Sequence, residues 1–120
     1  MTLDDLYKRV TEAISRAESL EADGRARDAA MAYQEVSRIE ERIAELLPAS
    51  DPEGALARQG VVTAALSAGD LARAVERARA YSAANGLSAP FREEIAALQR
   101  EAEETLRARS GARHAGGGPH

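Results

Sequence analysis

The sequence predicts an all-α domain of stacked antiparallel helical hairpins, about five helices in 120 residues. Three observations carry this reading. Apolar residues recur at three- and four-residue steps along most of the chain, the spacing that gathers them on one side of a helix. Alanine, glutamate, arginine and leucine dominate, and these lose least on entering a helix, whereas strand-favouring aromatics amount to three tyrosines and one phenylalanine. Short breaks containing glycine, proline or asparagine separate the periodic segments. A chain of this length encloses one core and no second domain. With so few rings, that core is built from Ala, Leu, Ile and Val, so its helices pack closely.

The first helix is expected over residues 3–22, with Leu3, Leu6, Val10, Ala13, Ile14, Ala17 and Leu20 on one stripe. Thr2 and Asp5 have the spacing of a capping box, and Gly24 is the stop, because a residue without Cβ enters the left-handed conformation cheaply. The second helix spans about 25–47, carrying Ala29, Tyr33, Val36, Ile39, Ile43 and Leu47 on one side and ending at Pro48. "ASDPEG" then offers Ser50 or Asp51 as cap, Pro52 in the first turn and Glu53 as box partner for a third helix over about 52–68. Its stripe, Leu56, Val62, Ala65 and Leu66, is sparse. Gly69 breaks the pattern and Asp70 caps a fourth helix with Leu71, Ala74, Val75, Ala78 and Tyr81 inward, stopped by Asn85-Gly86. Ser88 and Pro90 open a fifth, predicted over 89–109, with Phe91, Ile95, Leu98, Ala102 and Leu106 on a narrow stripe. Hairpins 3–47 and 52–85 with a capping helix 89–109 thus make one helical domain, 1–109, and the glycine-rich residues 110–120 read as a disordered tail.

The formal charge is −4, from 16 basic and 20 acidic residues, so no net field draws nucleic acid or an anionic membrane. The absence of cysteine removes disulfides and thiolate chemistry and fits a reducing compartment. "MTLDDLYKRV" is acidic where a signal peptide is basic, and no apolar run approaches a membrane span, so a cytoplasmic location is expected.

Aligning Gly24 with Gly69 matches Ala29 to Ala74, Ala26 to Leu71 and Ala30 to Val75. Ala17, Gly24, Ala29 and Tyr33 in the first hairpin, and Gly69, Asp70, Leu71 and Ala74 in the second, resemble the tetratricopeptide repeat family. The departures are specific: Gly24 and Gly69 stand 45 residues apart, against about 34 in the family. Ala78 replaces the expected aromatic, and Tyr81 stands where a small residue belongs. An irregular helix bundle without true repeats is the other architecture the pattern allows. The resemblance implies a binding surface lined by the first helix of each pair, which would collect Thr11, Ile14, Glu18 and Glu21 with Leu56, Gln59, Thr63 and Leu66. None of these is basic or asparagine, so the family's clamp for a C-terminal carboxylate is not implied; Ile14, Leu56 and Leu66 suggest a mixed apolar groove for an amphipathic segment.

Catalytic chemistry finds little support. His114 and His120 both fall in the tail, so neither a serine triad nor a zinc site has a positioned imidazole. The paired carboxylates (Asp4–Asp5, Glu40–Glu41, Glu93–Glu94, Glu103–Glu104) are neighbours that diverge by about 100° on a helix, so they read as solvated faces. Glu12 with Arg16 and Glu103 with Arg107 have the spacing of intrahelical ion pairs. Arg107, Arg109, Arg113 and His114 form a basic end without the aromatics that stack bases. No metal or cofactor is implied. The chain therefore reads as a non-enzymatic protein-interaction or scaffold module whose partner is another protein or peptide. The alternatives are a homo-oligomer paired through the second and fifth helices, and, more weakly, a regulatory domain binding an anionic small ligand near Arg58, Arg73 and Arg77.

Overall fold

The computed structural model describes the backbone of residues 1–117 and the side chains of residues 1–111. The chain forms α1 (Leu3–Ala22), α2 (Ala26–Leu46), α3 (Pro52–Ser67), α4 (Leu71–Ala83) and α5 (Ala89–Gly117), with no strand among the described residues. No helix among them is long and apolar enough to cross a membrane. The first four helices follow the predicted bounds closely. α5 instead continues past the predicted end at 109, so part of the expected tail is helical, and residues 118–120 lie outside the described residues. Helix propagation accounts for the extension, since turns already formed supply the nucleus and each further residue adds one backbone bond.

The helix starts show which local signals won. Thr2 and Asp5 form the reciprocal box, Asp5 N–H donating to Thr2 Oγ1 at 3.1 Å and Thr2 N–H to Asp5 Oδ2 at 3.0 Å. At α3 the cap is Asp51, whose Oδ1 accepts from Glu53 N–H at 2.8 Å; this places Glu53 one residue short of the box position, which Gly54 occupies, and its carboxylate accepts from Tyr7 instead. The two hairpin turns are alike in detail. Gly24 and Gly69 have φ of 77° and 75°, Arg25 N–H donates to Leu20 O and Asp70 N–H to Ala65 O, both at 2.9 Å, and each glycine N–H closes a second bond three residues back. The echo in the sequence is thus a repeated backbone turn, one that L side chains resist at its glycine.

Each helix packs on the next, and α3 also packs on α5; the backbones of α1 and α3 do not meet. The molecule measures 56 × 35 × 20 Å, so its thin direction is about two helix diameters. Two apolar clusters form. One joins Leu6, Val10 and Ala13 of α1 to Val36, Ile39 and Ile43 of α2 and Ala57 and Ala64 of α3. The other joins Ala55, Val62 and Ala65 of α3 to Ala74, Val75 and Ala78 of α4 and Ile95 and Ala102 of α5. α3 contributes to both, which is why its stripe looked sparse: a helix covered on several sides has no single apolar face. Leu56, predicted on that stripe, is instead 58% exposed. α2 is similarly covered on two sides, burying Ala32, Ser37 and Ala44 besides Ala29, Val36, Ile39 and Ile43 of the predicted stripe, while Tyr33 and Leu47 are half-buried.

The predicted intrahelical ion pairs give way to pairs between helices. Arg16 pairs with Glu35 of α2, and Arg79 of α4 with Glu103 of α5 at 3.0 Å. Each has an arginine more than half exposed, so these contacts orient the helices more than they stabilise them.

Candidate functional site

Adjacent glutamates on α2 lead to two different environments. Glu41 points toward α4, where Arg73 donates to Oε1 at 2.8 Å and Arg77 to Oε2 at 3.1 Å. Arg73 also donates through Nε at 3.0 Å to Oγ of Ser37, which is fully buried and itself donates to Val61 O at 2.8 Å. Burial alone would raise the Glu41 carboxyl, but the hydrogen bond and charge of Arg73, then those of Arg77, outweigh it and hold the group below the usual range. Beside this tie the guanidiniums of Arg58 and Arg77 lie 5.7 and 5.6 Å from the centre of the Tyr81 ring. Arg58 further donates to Leu47 O at 3.0 Å and Gly54 O at 2.9 Å, fastening the end of α2 to the start of α3. The three arginines proposed to hold an anionic ligand are therefore engaged within the chain, and the anion between Arg73 and Arg77 is its own Glu41.

Glu40 points the other way, into a cleft of about 260 Å³ between α1 and α3, lined by Tyr7, Glu40, Glu53, Leu56 and Ala57. Tyr7 spans the opening, its hydroxyl donating to Glu53 Oε2 at 2.9 Å. Burial, then the Glu53 hydrogen bond and charge, lift that phenol to about 12. Glu40 is half-buried and lies against Gly60, where an added Cβ would come within 2.9 Å of its carboxyl carbon. It has no hydrogen-bond or ion-pair partner among the described residues, and burial pushes its pKa up to about 7. The solvated reading of the Glu40–Glu41 pair is thus corrected twice: one carboxylate is paired and the other is sheltered without a counter-ion.

The eight residues predicted to line one groove do not converge. Thr11, Glu18 and Glu21 are exposed on α1, with Thr11 Oγ1 donating to Tyr7 O at 2.9 Å and Glu21 accepting from the Tyr33 hydroxyl at 3.2 Å. Ile14 packs at the edge of the first cluster. On α3, Leu56 reaches the α1–α3 cleft and Gln59 is half-buried, while Thr63 and Leu66 line a separate cleft of about 400 Å³ with Leu71, Leu98, Thr105 and Arg109. The matched register assumed that α1 and α3 stack directly, but their backbones do not meet and Tyr7 and Glu53 bridge the gap between them. Tyr7, Glu40, Glu53 and Ala57 were missed. The signal was present for Glu40, which stands four residues after Val36 and three before Ile43, a carboxylate at an apolar position of the α2 stripe. The helices named for self-association, α2 and α5, bury Ile39, Ile43, Ile95 and Ala102 within the chain, while Tyr33, Leu47, Phe91 and Leu98 are half-buried and Leu106 is exposed. No cluster of metal ligands occurs among the described residues.

Glu40 makes stability pH-dependent in a direction opposite to most carboxylates. Its folded pKa, about 7, lies above the unfolded value of 4.5, so below 4.5 both states are protonated and no penalty exists. As pH rises from 4.5 to 7 the unfolded chain releases this proton first, and folding loses free energy. Because the carboxyl is partly solvated, the full shift is discounted to on the order of 1 kcal/mol. Urea denaturation should find Glu40→Gln more stable than the parent at pH 8, with the advantage shrinking by pH 5; an equal difference at both pH values refutes the assignment. The Glu41 pair responds at lower pH, outside this window.

Comparisons with protein-family models, with curated proteins and with solved structures return no match.

Proposed function

We propose that this chain is a non-enzymatic interaction module of tetratricopeptide-like hairpins that receives a segment of a partner protein in the α1–α3 cleft. The observation that supports this best is Leu56, a large apolar side chain left 58% exposed at the edge of a concave site floored by Ala57 and walled by Tyr7. An exposed leucine alone is ordinary, but one bordering a cleft between two helices offers the apolar anchor that helical partners use. A photo-crosslinking amino acid at position 56 should capture a discrete protein from cell extract, and the same probe at the exposed position 94 should not. Capture must also be competed by the unlabelled parent chain and not by Leu56→Ser. Equal labelling from both positions, or competition by Leu56→Ser as effective as by the parent, overturns the reading.

A further inference from the structure

Resting on that reading, we infer that the α1–α3 cleft selects a partner presenting a lysine or arginine side chain beside an aliphatic one. The cleft contains two carboxylates, Glu40 and Glu53, and no basic residue. Glu53 already accepts the Tyr7 hydroxyl, leaving Glu40 as a sheltered carboxylate facing the cleft with no internal counter-charge. The chain does not lack cations to have supplied one: three arginines gather around Glu41 and Tyr81, one residue further along α2, and none is directed to Glu40. Most of the remaining lining is apolar, from Leu56, Ala57 and the Tyr7 ring. That combination suits a long basic side chain, whose methylene stem lies along apolar surface while its charged head meets a carboxylate. A small residue at position 60 is what lets Glu40 sit at this depth, since a side chain there would occupy the space of its carboxyl group. The exposed part of Leu56 then meets the partner's neighbouring aliphatic residue. An acidic partner is disfavoured at the same place, because it would bring a third carboxylate against Glu40 and Glu53.

The test uses a fluorescein-labelled helical peptide with leucine and lysine at three- and four-residue spacing, read by anisotropy against the full chain at low salt. The peptide should bind, Glu40→Gln should weaken it by about tenfold, the loss of one charge-assisted contact, and Glu94→Gln on α5 should leave it within about twofold. Leu56→Ser should weaken it as well. The inference fails if the peptide does not bind, if norleucine in place of lysine binds equally, if Glu40→Gln and Glu94→Gln behave alike, or if spermidine displaces the peptide at matched concentration, since a free polyamine has no aliphatic neighbour to seat. When Leu56→Ser weakens binding and Glu40→Gln does not, the interaction reading stands and the basic-residue inference alone falls. When neither variant matters, this cleft is not the interaction site and both fall.

Discussion

Gly54→Ala should cost the protein about 3 kcal/mol, although glycine to alanine within a helix ordinarily gains up to about 1. The reason is contact with backbone. A Cβ at position 54 would lie 2.1 Å from Pro48 O and 3.0 Å from Pro48 C, and neither can swing aside as a side-chain end would. The Pro48 carbonyl is fixed because it accepts Asp51 N–H at 3.1 Å, closing the turn that carries the chain from α2 into α3. Arg58 adds to the constraint, its Nη1 bonded to Leu47 O and Gly54 O and 3.2 Å from the same Cβ position. Gly111→Ala in α5 is the matching control, since nothing lies within 4 Å of its Cβ position, and there the ordinary small gain is expected. Chemical denaturation of both variants checks the pair; a Gly54→Ala protein as stable as the parent would show that the α2–α3 turn can move.

Ala74→Leu and Ala29→Leu should each destabilise by about 2 to 3 kcal/mol, against well under 1 for an exposed helical alanine. Ala74 is fully buried where α4 meets α3 and α5, and Ala29 is 4% exposed where α2 leaves its turn beside α1. Each stands five residues after a left-handed glycine whose turn bonds are the same, so each marks the near approach of two helices. A closely packed interior admits the added leucine atoms only by moving backbone. Denaturation midpoints at unchanged slope decide it. If Ala29→Leu is damaging and Ala74→Leu neutral, the two hairpins share a turn but not a packing scheme.

The turns and the limits of the first four helices were legible because they are encoded locally: Gly24 and Gly69 stop α1 and α3, and Thr2, Asp51 and Asp70 cap α1, α3 and α4 through bonds of two or three residues' span. Packing between hairpins was not. Nothing within a few residues of Glu40 or Glu41 reveals that one faces Tyr7 and the other Arg73, because those partners lie about 30 residues away along the chain. The placing of the groove residues on separate surfaces has the same origin. Aligning α1 with α3 fixes which side chains correspond, but not how closely the two backbones approach, and here they do not meet and touch through side chains instead. Leu56 was identified as a groove residue from its place on α3, while Tyr7 and Glu53 became visible only as a hydrogen-bonded pair across the gap.

α3 supplies wall to both apolar clusters, with Ala57 and Ala64 on one side and Ala55, Val62 and Ala65 on the other. It therefore acts as a party wall between two rooms. Neither the first hairpin nor the α4–α5 pair can lift away without stripping one side of α3, and α3 cannot leave without opening both rooms at once. The Arg73–Glu41 contact reinforces this from outside, joining helices on the two sides of that wall at 2.8 Å. α3 thus ties the two clusters together, even though the helices follow one another like beads. A partner that grips Leu56 on α3 would be holding an element that both rooms share.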